Sequence, residues 1–470
     1  MLAETGNYPD HAVHVMHDRE GVAPAMLTIE QLRAKVASQR EALPALYGDV
    51  DFSIKPERFA DEPVIESGPK SPSDHLRPQI MANTALVERM RAYTMLGDTV
   101  ADAYAALMPK YGFRKLVGMM TEACDRGVEN VADAPPELVA FIRAMEATPD
   151  WVDMKLVEEG ARLSREDSAN YSPFVIRGAF IATFMNKYSA LPMALTGTLS
   201  SETASRRVKD TASFFITSVL PGALERFGPG FRAAAMVRLM HSMVRFNALK
   251  RSNMWDVKTF GVPIPQVDQM PAGLIGVFLL AFKIVGQGRF EYTPEERARV
   301  ELSRYRCFLL GLPEALLPDT PKEMVEVMQM YDQTLRKGFD DRTCGELVRA
   351  TLAAYMPSDE KFGSRIWDHI ERRFSKVFFL ISFLGGDAKK ARQMGVNIGI
   401  GDWAVFLACS LFIGVRKGLY GLAARLPGLR EATDRMLVRK LEAMLKSYGH
   451  AEFTSDAATY RPAHVQQAAE

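Results

Sequence analysis

The 470-residue chain carries 58 Lys and Arg against 57 Asp and Glu, a net charge of +1, with 47% apolar and 24% charged residues. That balance excludes a disordered or collagenous chain, and the absence of a Lys/Arg tract able to track a phosphate backbone argues against nucleic acid as a partner. A chain this long can bury one large core or two or three smaller ones, and Cys124, Cys307, Cys344 and Cys409, scattered without CxxC spacing, fit a reducing, intracellular setting better than a disulfide or zinc scaffold.

The N-terminus, MLAETGNYPDHAVHVMHDRE, has neither the basic and apolar regions of a secretory signal nor the acid-poor composition of a transit peptide, so a cytoplasmic location is expected. His11, His14 and His17 recur every three residues and could share a helical face as a metal site. With no carboxylate or cysteine in register, a solvated segment is the better reading. From LTIEQLRAKVASQREAL onward, apolar residues repeat at three and four, through ALVERMRAYTMLGDTVADAYAALM, PPELVAFIRAM, VDMKLVEEGARLSRED and MVEVMQMYDQTLRKGF, and alternating strand patterns are rare. The expected fold class is all-α. Residues 50–80, rich in Pro, Asp and Ser, read as an extended arm or linker, and the residues after about 447 as a polar tail.

The expected organisation is an N-terminal extension and linker over 1–80, an all-α domain over 81–420, and a C-terminal helix and tail over 421–470. Three apolar runs, PAGLIGVFLLAF (271–282), VFFLISFLGG (377–386) and WAVFLACSLFIGV (403–415), each fall short of the roughly 18–20 residues that span a bilayer, so buried core helices are expected. Peripheral contact with a membrane surface stays open.

Two polar clusters stand out against this pattern. In SSETASRRVKDTASFF, Arg207, Asp210 and Thr211 fall on one helical face, with Ser200 or Ser201 placed to cap it. A surface ion pair between Arg207 and Asp210 would account for all but the threonine. In VRLMHSMVRF, a lone His241 lies on an apolar stripe with Ala234, Val237, Val244 and Ala248, and Arg238 and Arg245 flank it within about 60°. A core histidine bonded to a carbonyl is the plain reading. The two arginines strain it, because buried guanidiniums need anionic partners. A b-type haem would take the imidazole as iron ligand and offer propionates to both arginines.

The stretch from about 135 to 335 resembles the haem-dependent oxygenases that include the latex-clearing rubber oxygenases and the fungal enzyme that cleaves the prenyl side chain of a mycophenolic acid precursor. The resemblance runs through six ordered motifs: PDWVD (149–153), ALPMALTGTLS (190–200), RRVKDT (206–211), VRLMHSMVR (237–245), WDVKTFGVPIPQVD (255–268) and RYRCFLLGLPEALLP (304–318). It implies a globin-like helical core with additional helices, His241 as the proximal iron ligand, Arg238 and Arg245 near the propionates, and Arg207 and Thr211 on the distal side. Where the rubber oxygenases carry an iron-capping lysine before that threonine, this chain has Asp210, with Lys209 one residue off and turned about 100° away. Pro265 replaces the asparagine usual in the family's GVPINQ pattern.

With no CxxCH for attachment, the haem implied is non-covalent haem b. The chemistry implied is dioxygen-dependent cleavage or oxidation of a C=C bond in a hydrophobic olefinic substrate, small or polymeric, with Arg207, Asp210 and Thr211 as catalytic residues. The replacement at position 210 favours the alternative, a helical protein that binds haem or lipid without turnover. His75, His369, His450 and His464 have no evident ligand partners.

Overall fold

The computed structural model of the chain describes residues 27–61, 65–67, 74–195, 201–426 and 428–449, apart from the side chains of 65–67, 201 and 202. His11, His14, His17, His450, His464 and Ser200 lie outside the described residues. The fold is all-α, as the periodicity predicts. Its strand pairing among the described residues is a short parallel contact of Ile65–Ser67 with Lys337–Gly338 and an isolated antiparallel bridge of Phe59 with Leu335. Helix starts follow local chemistry: Thr28 with Gln31, Thr293 with Glu296 and Thr320 with Glu323 form reciprocal capping boxes, the last two followed by Pro294 and Pro321 at the first helical position.

Among the described residues two large apolar cores are buried, beside two small clusters. The larger gathers Leu32, Tyr104, Phe141, Leu239 and Leu302, the smaller Phe180, Phe184, Leu347 and Phe379. The helix Ser201–Thr217 belongs to both, giving Val208 to the smaller core and Ala212, Phe214 and Ile216 to the larger. Close approach depends on glycine: a Cβ on Gly160, in the helix Met154–Asn170, would lie 2.0 Å from the Ala298 carbonyl oxygen of the helix Pro294–Leu309.

Two expectations change. Residues 29–60, read as extension and linker, are part of the main body: Leu32, Leu46 and Tyr47 are fully buried in the larger core, and the arm over 57–60 hydrogen-bonds to the Lys258, Thr259 and Thr334 carbonyls. The run 403–415, expected to be a buried core helix, lies in the helix Ile400–Arg425, whose only fully buried residue is Asp402. The runs 271–282 and 377–386 do supply core residues, among them Leu274, Val277, Val377 and Phe379.

Candidate functional site

His241 lies midway along the 22-residue helix Pro229–Lys250, which is buried on nearly all sides. Ala234, Leu239 and Met243 are fully enclosed, whereas Val237 and His241 are only half-buried, so the imidazole sits where this helix opens. Its Nδ1 lies 3.1 Å from Oε1 of Gln269, in the helix Gln266–Gly286.

The direction of that bond is set by a chain of amides. The Gly97 carbonyl can only accept; it takes Nε2–H of Gln266 at 3.4 Å, and Gln266 Oε1 takes Nε2–H of Gln269 at 3.2 Å. Gln269 therefore presents its oxygen to the ring, Nδ1 carries the proton, and the lone pair is left on Nε2. Among the described residues Nε2 has no hydrogen-bond partner. Burial pushes the imidazole's pKa down to about 4; the Gln269 bond opposes the shift, and the Arg245 and Arg207 charges add to it. The ring is neutral at pH 7, the form that can ligate a metal.

The arginines beside it have protein partners. Arg238 is bidentate to Asp98, with Nη2 to Oδ1 at 2.9 Å. Arg245 pairs with Asp102, and donates from Nε to the Pro263 carbonyl at 2.9 Å and from Nη2 to the Ile264 carbonyl at 2.6 Å. Tyr47 completes this second pair, its hydroxyl donating to Asp102 Oδ2 at 2.6 Å. Burial pushes the Asp102 carboxyl up to about 6 against the pull of Arg245, whereas Arg238 holds Asp98 below the usual carboxylate range despite its burial. Both are ionised at neutral pH. The buried guanidiniums do need anions, as the sequence suggests, but those anions are the two carboxylates at the start of the helix Thr99–Ala105. Arg238 and Arg245 are thus framework ion pairs of this structure.

The resemblance motifs build this frame. In 255–268, Trp255 Nε1 donates to the Gly261 carbonyl at 2.9 Å, Ile264 takes φ 45° to aim its carbonyl at Arg245, and Asp268 holds the buried Arg58 and the Tyr331 hydroxyl. In 304–318, Gly311 has φ 87°, and a Cβ there would meet Asp98 Oδ2 at 2.4 Å and Arg238 Nε at 2.6 Å. Only glycine clears that ion pair.

Arg207, Asp210 and Thr211 are all half-buried on the helix Ser201–Thr217, which packs against the His241 helix. Arg207 lies near enough for its charge to depress the imidazole. Burial raises the Asp210 carboxyl, opposed by Arg207, Arg206 and Lys209, and burial lowers the Lys209 ammonium. Arg207 and His241 thus stand on two helices that pack against each other. His75 and His369 are exposed and apart from the site. Sequence reasoning missed Gln269, Gln266, Asp98, Asp102 and Tyr47.

No group of three or more His, Cys, Asp or Glu gathers as a metal cluster among the described residues, so His241 is not part of a three-donor set of these residue types. An imidazole outside such a set fits a macrocycle-borne iron, which brings its own in-plane ligands, and not a bare zinc ion.

The fold is all-α, with a lone half-buried histidine, His241, hydrogen-bonded to Gln269. Residues 170–399 match the family described as ER-bound oxygenase mpaB/B′/rubber oxygenase, catalytic domain, a span that includes His241, Arg207 and Gln269. Among solved structures, latex clearing protein LCP in the closed state is similar with a TM-score of 0.52, at 17% identity over 75% of this chain and 91% of that one, a likeness of fold. No curated protein sequence matches the chain. The resemblance carried by the motifs is borne out over the matched residues.

Proposed function

We propose that this chain is a haem b-dependent oxygenase that uses dioxygen to oxidise or cleave a C=C bond of a hydrophobic, isoprenoid-like substrate. The observation that carries the reading is the preset imidazole of His241: neutral, with its proton locked on Nδ1 by Gln269 and its Nε2 lone pair free. The oxygenase family match over 170–399 sets the reaction class.

His241 would hold the iron, and Gln269 would fix the ring's rotation and strengthen it as a donor. Bound haem supplies an iron centre able to activate dioxygen. Arg207 and Thr211 act as donors from the neighbouring helix, stabilising negative charge as it develops in the substrate or oxidant. Asp210, its carboxyl raised by burial, is suited to hold or pass a proton.

The test is the visible spectrum of the purified chain with acid-acetone extraction, followed by dioxygen uptake with prenylated and unsaturated substrates. One extractable haem per chain and substrate-dependent uptake are expected. Bound haem without uptake would favour a non-catalytic carrier, and a colourless chain that refuses added hemin would end the proposal.

A further inference from the structure

The helix Ile400–Arg425 is 26 residues long, about 39 Å at 1.5 Å per residue, and apolar over nearly its whole length. Only 6% of its most apolar window is buried. Leu407, Leu411, Val415, Leu419 and Leu422 follow each other at three- and four-residue spacing, with Ile400 seven residues before them, and all stand in the open, Ile400 at 90% and Leu411 at 71% exposure. A soluble monomer rarely shows a continuous apolar stripe of this size.

The opposite side of the helix is fastened to the body at several points along its length. Near its start, Asp402 accepts from Lys376 at 2.9 Å and Phe406 packs on Phe374 with ring centroids 4.7 Å apart. Further along, Arg416 donates to the Asn170 carbonyl at 3.0 Å and Lys417 to Asp167 at 2.6 Å. A helix held this way does not leave the body to cross a bilayer; it offers its stripe lengthwise. Trp403 and Trp367 flank the same aromatic group, Trp403 against Phe406 and Trp367 against Phe174, which itself packs on Phe374. Amphipathic indoles of this kind suit the headgroup level of a membrane.

Charge selects the occupant. Residues 361–449 hold sixteen Lys and Arg and seven Asp and Glu, a net of +9 in a chain whose total is +1. A second copy of this chain would set +9 against +9. The chain that follows the last helix offers little cover: 450–470 contains Phe453, Tyr460 and Val465 as its larger apolar residues. We infer that the Ile400–Arg425 face docks in the plane of an anionic phospholipid bilayer, with the leucine stripe in the acyl boundary and the surrounding cations on the headgroups.

The experiment is vesicle flotation of the full chain, independent of turnover or haem, with phosphatidylcholine vesicles and with phosphatidylcholine–phosphatidylglycerol vesicles. The wild type should float with the anionic vesicles, less with the neutral ones, and less again at high salt. Leu407→Glu/Leu411→Glu/Val415→Glu changes only exposed positions and should keep the helical circular dichroism while lowering vesicle affinity by at least about tenfold. Trp403 emission should be quenched by brominated lipid, and Trp403→Phe should remove most of that quenching. Wild type that ignores both vesicle types, or a triple variant that floats as well as wild type, overturns the inference. So does a wild-type dimer that the triple variant turns into a monomer with no change in vesicle affinity.

Discussion

Gln269 accepts the Nδ1 proton of His241 across 28 residues of sequence, and what turns its amide oxygen toward the ring is a backbone carbonyl, Gly97, two amides further along. The ring's tautomer is therefore set by parts of the chain far from it in sequence. Changing Gln269 should change the ligand without removing it. Gln269→Ala should weaken haem retention roughly 10- to 100-fold. Gln269→Glu should make the imidazole more electron-donating and lower the reduction potential. Hemin titration and potentiometry read the two effects, and equal values in all three proteins would show that the bond does not tune the site.

Replacing His241 with Ala should abolish or strongly weaken haem uptake, because neither flanking arginine can take its place: guanidiniums do not ligate iron. The Soret band after hemin addition measures this. Retention of a wild-type spectrum would reassign the ligand.

Loss of an arginine on the His241 helix should act on stability first. Arg245→Ala leaves Asp102 buried beside Tyr47 without its cation, its carboxyl pushed further up, and a broken buried pair costs roughly 3–5 kcal/mol. Arg238→Ala should behave similarly through Asp98. Urea denaturation of the haem-free protein gives the values. An arginine that contacted propionates instead would leave the haem-free protein as stable as wild type and weaken only haem binding.

Acid should uncouple the site in a defined window. The folded-state pKa of His241, about 4, lies below the usual value for an unfolded histidine, about 6.5, so between these values the unfolded chain binds more protons. The neutral-ring stabilisation is complete above 6.5 and is lost as pH falls toward 4. Asp102, pushed up to about 6, contributes with the opposite sign over part of the same range. The comparison of wild type with His241→Gln isolates the histidine: the wild type should lose more Tm between pH 6.5 and 4. Parallel curves would place the imidazole in contact with water.

Arg207→Ala should leave haem in place and cut turnover by on the order of 100-fold, as removal of a preorganised donor does elsewhere. Thr211→Ala should lose less. Asp210→Lys should slow cyanide binding to the ferric protein by offering a distal cap. Wild-type turnover in Arg207→Ala would remove the Ser201–Thr217 helix from the reaction.

The helices were legible because three-and-four periodicity survives in one dimension, and His241 because a lone imidazole interrupts an apolar stripe. Its frame was hidden by sequence distance. Asp98 and Asp102 lie 140 and 143 residues before the arginines they meet. The signal was there in GDTVADAY, two carboxylates one turn apart in an otherwise apolar helix, but nothing local says which cations answer them. Gln269 gave no signal, since an amide in a helix start looks like any polar residue. The apolarity of 403–415 was equally plain, yet composition does not say what covers a helix, and there the expectation of burial failed.

The paired clamps of Arg238 with Asp98 and Arg245 with Asp102 bracket His241 at three residues before and four after. They act like two pins through a sliding bolt: a one-turn slip of about 5.4 Å would break both, and a rotation of the helix would break at least one. The imidazole's place is consequently decided when the chain folds, before any cofactor arrives. Uptake should then behave as simple docking, with a rate proportional to hemin concentration and a heat-capacity change limited to the surfaces that close together, and without the large ordering signature of a chain that folds around its ligand.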